Sequence, residues 1–200
     1  MLLGKNRLGI RMKAKALNKA TPVNLASHSY WNLAGHDSGH ILSHTIQIFG
    51  SHITPVKDDL VPTGAIQPVK GTPYDFLQPH EIGSKLSQLP GGYDINYVLD
   101  PTEGSHRHLH KVAVVQEPKS GRKMELWTNK PGVQFYTSNM LKDTKGKGGF
   151  VYQKYAGLCL ETQGFPDSVN HPNFPSQFVD AGETYDHVMV YRFTALTTKE

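Results

Sequence analysis

Cysteine is nearly absent: Cys159 is the only one in 200 residues. One cysteine makes no internal disulfide, which excludes a disulfide-stapled scaffold and cysteine-rich zinc sites. Long apolar runs are absent as well. No stretch reaches the ~18 apolar residues of a spanning helix, and the start, Met1-Leu2-Leu3-Gly4-Lys5, has no apolar signal core. Charge is sparse, with 19% Asp, Glu, Lys and Arg and a net of +4. That excess is scattered, and its densest run, Lys142 to Lys147, lies among glycines. Nucleic-acid binders concentrate basic charge on one face or helix. A glycine-rich phosphate loop and a Gly-x-Ser-x-Gly nucleophile elbow are also missing. Together these absences predict a cytoplasmic protein that engages neither nucleic acid nor membrane.

Turn formers are plentiful, with 19 Gly and 13 Pro, and apolar residues recur with period two. Leu8, Ile10, Met12, Ala14 and Ala16 alternate with Gly9, Arg11, Lys13 and Lys15. That period marks a strand buried on one face. Strands are also expected over 45–54, 111–117, 123–128, 132–137, 157–162 and 183–193. Pro118-Lys119-Ser120-Gly121 reads as a hairpin turn. One short helix is expected within 79–89. Many short strands, turns between them and almost no helix point to an all-β sandwich or barrel in one domain, residues 1–200.

Polar and aromatic side chains gather in four stretches: Asn24 to Leu33, Gly91 to Tyr97, Pro131 to Asn139 and Cys159 to Asp167. A concave β face carrying aromatic rings and amides suits a sugar, because rings stack on C–H faces and amides bond hydroxyls. His28 also reads as a structural histidine beside core aromatics, and Asp94 as a turn former after two glycines. Glu161 follows an apolar run, and a desolvated carboxylate needs a partner or a function. Cys159 reads as an inert core residue. His106, His108 and His110 alternate as zinc ligands can, but no carboxylate or cysteine follows at metal-site spacing, and a solvated face explains them better.

In this order the four stretches resemble the aldose 1-epimerase, or galactose mutarotase, family, plant-type members in particular. The resemblance runs from about Asn6 to Phe193. It implies a β-supersandwich with a sugar cleft on its concave face. It also implies interconversion of the α and β anomers of hexoses such as glucose and galactose, without metal or organic cofactor. It assigns His28 as general acid, Glu161 as general base, Asp94 and Gln134 as ligands of sugar hydroxyls, and Tyr30 as an aromatic wall. Glu161 would take the C1 hydroxyl proton while His28 protonates the ring oxygen, from opposite sides of the ring. Both groups are expected to titrate nearer neutrality than usual.

Family members carry a portion ahead of the strand at Leu8 that supplies an Asn-Arg pair and a further His. Neither has a counterpart here. The chain is therefore expected to be the C-terminal portion of the fold, truncated at its N-terminus, with open strand edges that favour self-association. Loss of those groups leaves a non-catalytic carbohydrate-binding or regulatory role as the alternative. A phosphohexose enzyme would want clustered Arg, which the sequence lacks.

Overall fold

The computed structural model describes residues 1–101 and 109–195. His106 and His108 lie outside the described residues. Nine strands carry the architecture: β1 (Arg7–Lys15), β2 (Thr45–Ile48), β3 (His52–Thr54), β4 (Asp94–Val98), β5 (His110–Gln116), β6 (Arg122–Thr128), β7 (Gly132–Tyr136), β8 (Cys159–Gln163) and β9 (Thr184–Ala195). They form two antiparallel sheets. The seven-stranded sheet runs Leu2–Leu3, β1, β9, β6, β5, β2, His80–Glu81. The five-stranded sheet runs β8, β7, β4, β3, Gln67–Pro68.

Alternation decides which face of each sheet is buried. Ile46, Ile48, Val115, Met124, Leu126, Met189 and Tyr191 from the larger sheet meet Ile53, Ile95, Tyr97, Val133, Phe135 and Leu160 from the smaller. This is the interior of a β-sandwich. Each Leu, Ile or Phe taken fully out of water there stabilises the fold by about 1.5–3 kcal/mol. Among the described residues no helix is long and apolar enough to cross a membrane.

The expected strand over 45–54 is two strands. β2 belongs to the larger sheet and β3 to the smaller. The chain changes sheet at Gly50, where a Cβ would stand 2.7 Å from the Val98 carbonyl oxygen. Only glycine lets the backbone pass that close. The hairpin between β5 and β6 forms around residues 118–121 as expected, with Lys123 opposite Gln116. The expected helix is a 3-10 helix over Ile82–Gln88.

Candidate active site

The face of the five-stranded sheet turned away from the core is polar. In one cross-strand row Thr54 pairs with Asn96, Asn96 with Gln134, and Gln134 with Glu161. In the next row Asp94 pairs with Tyr136, and Tyr136 with Cys159. Side chains on one face of neighbouring strands stand close enough to interact directly. The rows are the floor of a cleft of about 540 Å³ whose walls include Tyr30, Pro62 and Leu141.

The floor is cross-linked by amides. Gln134 Nε2 donates to Asp94 Oδ1 at 2.7 Å. Gln163 Nε2 donates to Asn96 Oδ1 at 3.2 Å and Gln134 Oε1 at 3.3 Å. Asn96 Nδ2 donates to Thr54 Oγ1 at 3.2 Å. Gly132 is part of this arrangement, because a Cβ there would come within 2.6 Å of Asn96 Oδ1. The network fixes amide and carboxylate orientations before any ligand arrives.

His28 comes from outside the sheet. β8 is an edge strand, and residues 24–31 run beside it. Asn24 pins one end: its side chain accepts from the Gly164 N–H at 2.9 Å and donates to the Gly164 carbonyl at 3.2 Å. Trp31 pins the other through reciprocal backbone bonds with Leu158 of 2.8 and 2.9 Å. Between the pins no regular strand forms. The result places His28 Nε2 3.4 Å from Glu161 Oε1. Tyr30 stacks on the imidazole with ring centroids 5.1 Å apart, and Tyr136 meets it edge-on at 6.1 Å.

Glu161 is 8% exposed. Burial pushes its carboxyl above the usual range, the His28 imidazole pulls it back, and Asp94 adds to the rise. Burial also raises the Cys159 thiol, with Glu161 and Asp94 adding to it. Cys159 is buried, as expected of a core residue. It stands on the cleft side of β8, two residues from Glu161, whereas Leu160 between them joins the core. No Lys or Arg is among the described residues that line the cleft.

The five residues singled out from the sequence, His28, Tyr30, Asp94, Gln134 and Glu161, all line this one cleft. Thr54, Asn96, Tyr136 and Gln163 line it too and had no assigned role. Period two could have found three of them, since Asn96 follows Asp94, Tyr136 follows Gln134, and Gln163 follows Glu161 by two. Thr54 carries no such signal. His28 and Glu161, expected as acid and base on opposite sides of a sugar ring, stand 3.4 Å apart with no ring-sized gap between them. A cyclic hemiacetal accommodates this, because its C1 hydroxyl and ring oxygens share one carbon.

A family model described as Aldose 1-epimerase matches residues 1–192. The chain is 45% identical to galactose mutarotase of Homo sapiens over 187 residues, 92% of this chain and 53% of that protein. It is 32% identical to aldose 1-epimerase of Escherichia coli K12 over 197 residues, 95% of this chain and 56% of that one. The chain thus spans about half the length of the curated relatives it matches. Among solved structures, the aldose epimerase homologue from C. elegans superposes with a TM-score of 0.85 at 25% identity, covering 97% of this chain and 57% of that one. Galactose 1-epimerase from Lactobacillus acidophilus gives 0.78 at 21% identity, covering 96% and 54%. These matches are animal and bacterial and lend no support to a plant-type affinity.

Proposed function

The chain belongs to the aldose 1-epimerase family, and from that membership we propose that it interconverts the α and β anomers of aldoses such as glucose and galactose. The observation that carries the reading is the contact between His28 and Glu161 on the floor of a cleft lined by amides and carboxylates. Glu161, with its raised proton affinity, accepts the C1 hydroxyl proton. His28 as imidazolium gives a proton to the ring oxygen, and the C1–O5 bond breaks to leave an open-chain aldehyde. Rotation about C1–C2 presents the other carbonyl face. Attack by the C5 hydroxyl then closes the ring, with the proton transfers reversed. Asp94 and Gln134 hold sugar hydroxyls, and Tyr30 offers its ring to the apolar face of the sugar. Each positioned acid or base typically contributes 10²–10⁴-fold.

The test is mutarotation of fresh α-D-glucose followed by polarimetry, comparing the parent with Glu161→Gln. A rate above the spontaneous one that vanishes in the variant supports the assignment. Equal rates overturn it, and saturable hexose binding without exchange would favour the carbohydrate-binding alternative. We place the activity in the cytoplasm, where a free thiol such as Cys159 stays reduced. We also propose weak association of copies through the exposed outer strands Leu2–Leu3 and Gln67–Pro68. Two-residue edges template pairing poorly, so sedimentation should show it only at high concentration. A single species at every concentration would remove it.

A further inference from the structure

We infer that His28, Cys159 and Glu161 form a binding site for a thiolate-seeking divalent cation of the Zn²⁺ class, and that the seated ion closes the cleft to sugar. The first half stands on geometry. The second rests on the roles proposed above for His28 and Glu161.

The three residues offer an imidazole nitrogen, Sγ and a carboxylate oxygen, all within 4.8 Å of one another. Imidazole, thiolate and carboxylate are the donors that Zn²⁺ takes. Metal–donor bonds of about 2.0–2.3 Å in tetrahedral geometry set donors roughly 3.5 Å apart. The 4.8 Å limit thus asks for at most about 1 Å of contraction, and His28 Nε2 already stands 3.4 Å from Glu161 Oε1. The His28 side chain is 52% exposed and lies in the irregular segment between the Asn24 and Trp31 pins. Cys159 and Glu161 are held by pairing of β8 with β7.

Charge agrees. A thiolate and a carboxylate balance the two positive charges, Asp94 adds a negative field on both groups, and no described Lys or Arg lines the cleft. The ring packing of Tyr30 and Tyr136 against His28 orients the imidazole, as outer contacts do for metal-bound histidines. On coordination the Cys159 S–H bond breaks, an S–metal bond forms, and the proton leaves through the cleft to solvent. No electron changes hands. The fourth position faces the cleft, so a bound ion occupies the space over Glu161 that the sugar C1 hydroxyl requires.

The experiment titrates the purified protein with Co²⁺ as a spectroscopic substitute and follows the thiolate-to-cobalt charge-transfer band. The expected result is a band that saturates at one ion per chain, disappears in Cys159→Ala and is displaced by Zn²⁺. Absence of the band, or its survival in Cys159→Ala, overturns the inference. Cys159→Ser, nearly isosteric, replaces the Ala variant if circular dichroism shows that one misfolded. In parallel, Zn²⁺ is titrated into the mutarotation assay. Inhibition in the parent should weaken at least tenfold in the Cys159 variant. Exchange that Zn²⁺ leaves untouched sinks the inhibitory half. A cobalt band without any exchange activity leaves the metal site standing and sinks the proposed function.

Discussion

Two buried carboxylates in this sandwich are treated in opposite ways. Glu117 closes the hairpin between β5 and β6 and is 3% exposed; Glu161 on the cleft floor is 8% exposed. Burial pushes both upward. Glu117 is then pulled down to about 2 by the Ser120 hydroxyl, the backbone N–H groups of Lys119 and Ser120, and His44. Those two N–H groups donate at 3.0 and 2.6 Å. Glu161 has a histidine at 3.4 Å in their place and a second carboxylate, Asp94, nearby. The Glu117 region spends its hydrogen bonds on holding a charge. The Glu161 region leaves a carboxylate ready to gain and lose a proton, which is what an acid–base site needs.

The sharpest way to break that contrast is Glu161→Gln. It should lower catalysed anomer exchange by about 10²–10⁴-fold while leaving the melting temperature at pH 7 unchanged or higher. The sign follows from linkage: a carboxyl raised in the fold binds its proton more tightly there than in the unfolded chain. Ionisation above that range therefore costs stability, and the neutral amide removes the cost. A melting temperature several degrees lower would show that Glu161 is structural. Glu117→Gln should do the reverse, costing about 2 kcal/mol, as expected for hydrogen bonds to a charged acceptor, with exchange rates intact. Denaturant midpoints and polarimetry on the same preparation separate the two effects.

This contrast was only half legible in the sequence. The apolar run before Glu161 flagged a desolvated carboxylate, and resemblance supplied His28, Asp94, Gln134 and Tyr30 as its companions. Nothing in linear spacing says that Asn24 anchors on Gly164 and so draws His28 onto the edge of β8. Nor does it say that Thr54 completes the row begun by Glu161, because cross-strand neighbours are set by register. The alternating strands were readable because period two survives in any sheet. The split of 45–54 was not, since the change of sheet depends on Gly50 meeting the backbone of β4. The apolar run shows that Cys159 is buried without showing that it shares a face of β8 with Glu161. Glu117 drew no notice, since its backbone partners exist only once the hairpin is closed.

Acid should act on the structural side of the comparison. Burial holds His44 and His187 down at about 4. The bonds agree: His44 Nε2 accepts the Leu33 N–H at 3.1 Å. His187 Nδ1 donates to the Leu25 carbonyl at 3.0 Å, which leaves Nε2 to accept from Thr162 Oγ1 at 2.8 Å. Both histidines are neutral in the fold and charge more readily when unfolded. Their contribution is therefore full above about 6.5 and falls as pH drops toward about 4, by up to roughly 3 kcal/mol each. Glu117 adds a loss between its ordinary value of 4.5 and about 2. Chemical denaturation at pH 7, 5.5 and 4.5 should show stability falling at each step. His187→Gln should flatten the first step, and an unchanged slope would place the acid sensitivity elsewhere.

The smallest effect comes from a third carboxylate, which tests whether being surrounded by charge equals being held by backbone. Glu125 is 7% exposed and has Lys111 and Lys123 at 3.5 Å and Arg192 at 3.7 Å. All three cations reach into solvent, with 39–44% of their side chains exposed. Water and flexible stems dilute such pairs, so Glu125→Gln should cost about 1 kcal/mol or less, against about 2 for Glu117→Gln. The variant leaves three like charges around a neutral centre. Their repulsion is screened in ~1 M salt, where the Debye length is about 3 Å, so the deficit should shrink there. The Glu117 deficit should persist, because its N–H donors are fixed dipoles in direct contact. A Glu125→Gln deficit that ignores salt would mean that packing, rather than charge, holds this side chain between β5 and β9.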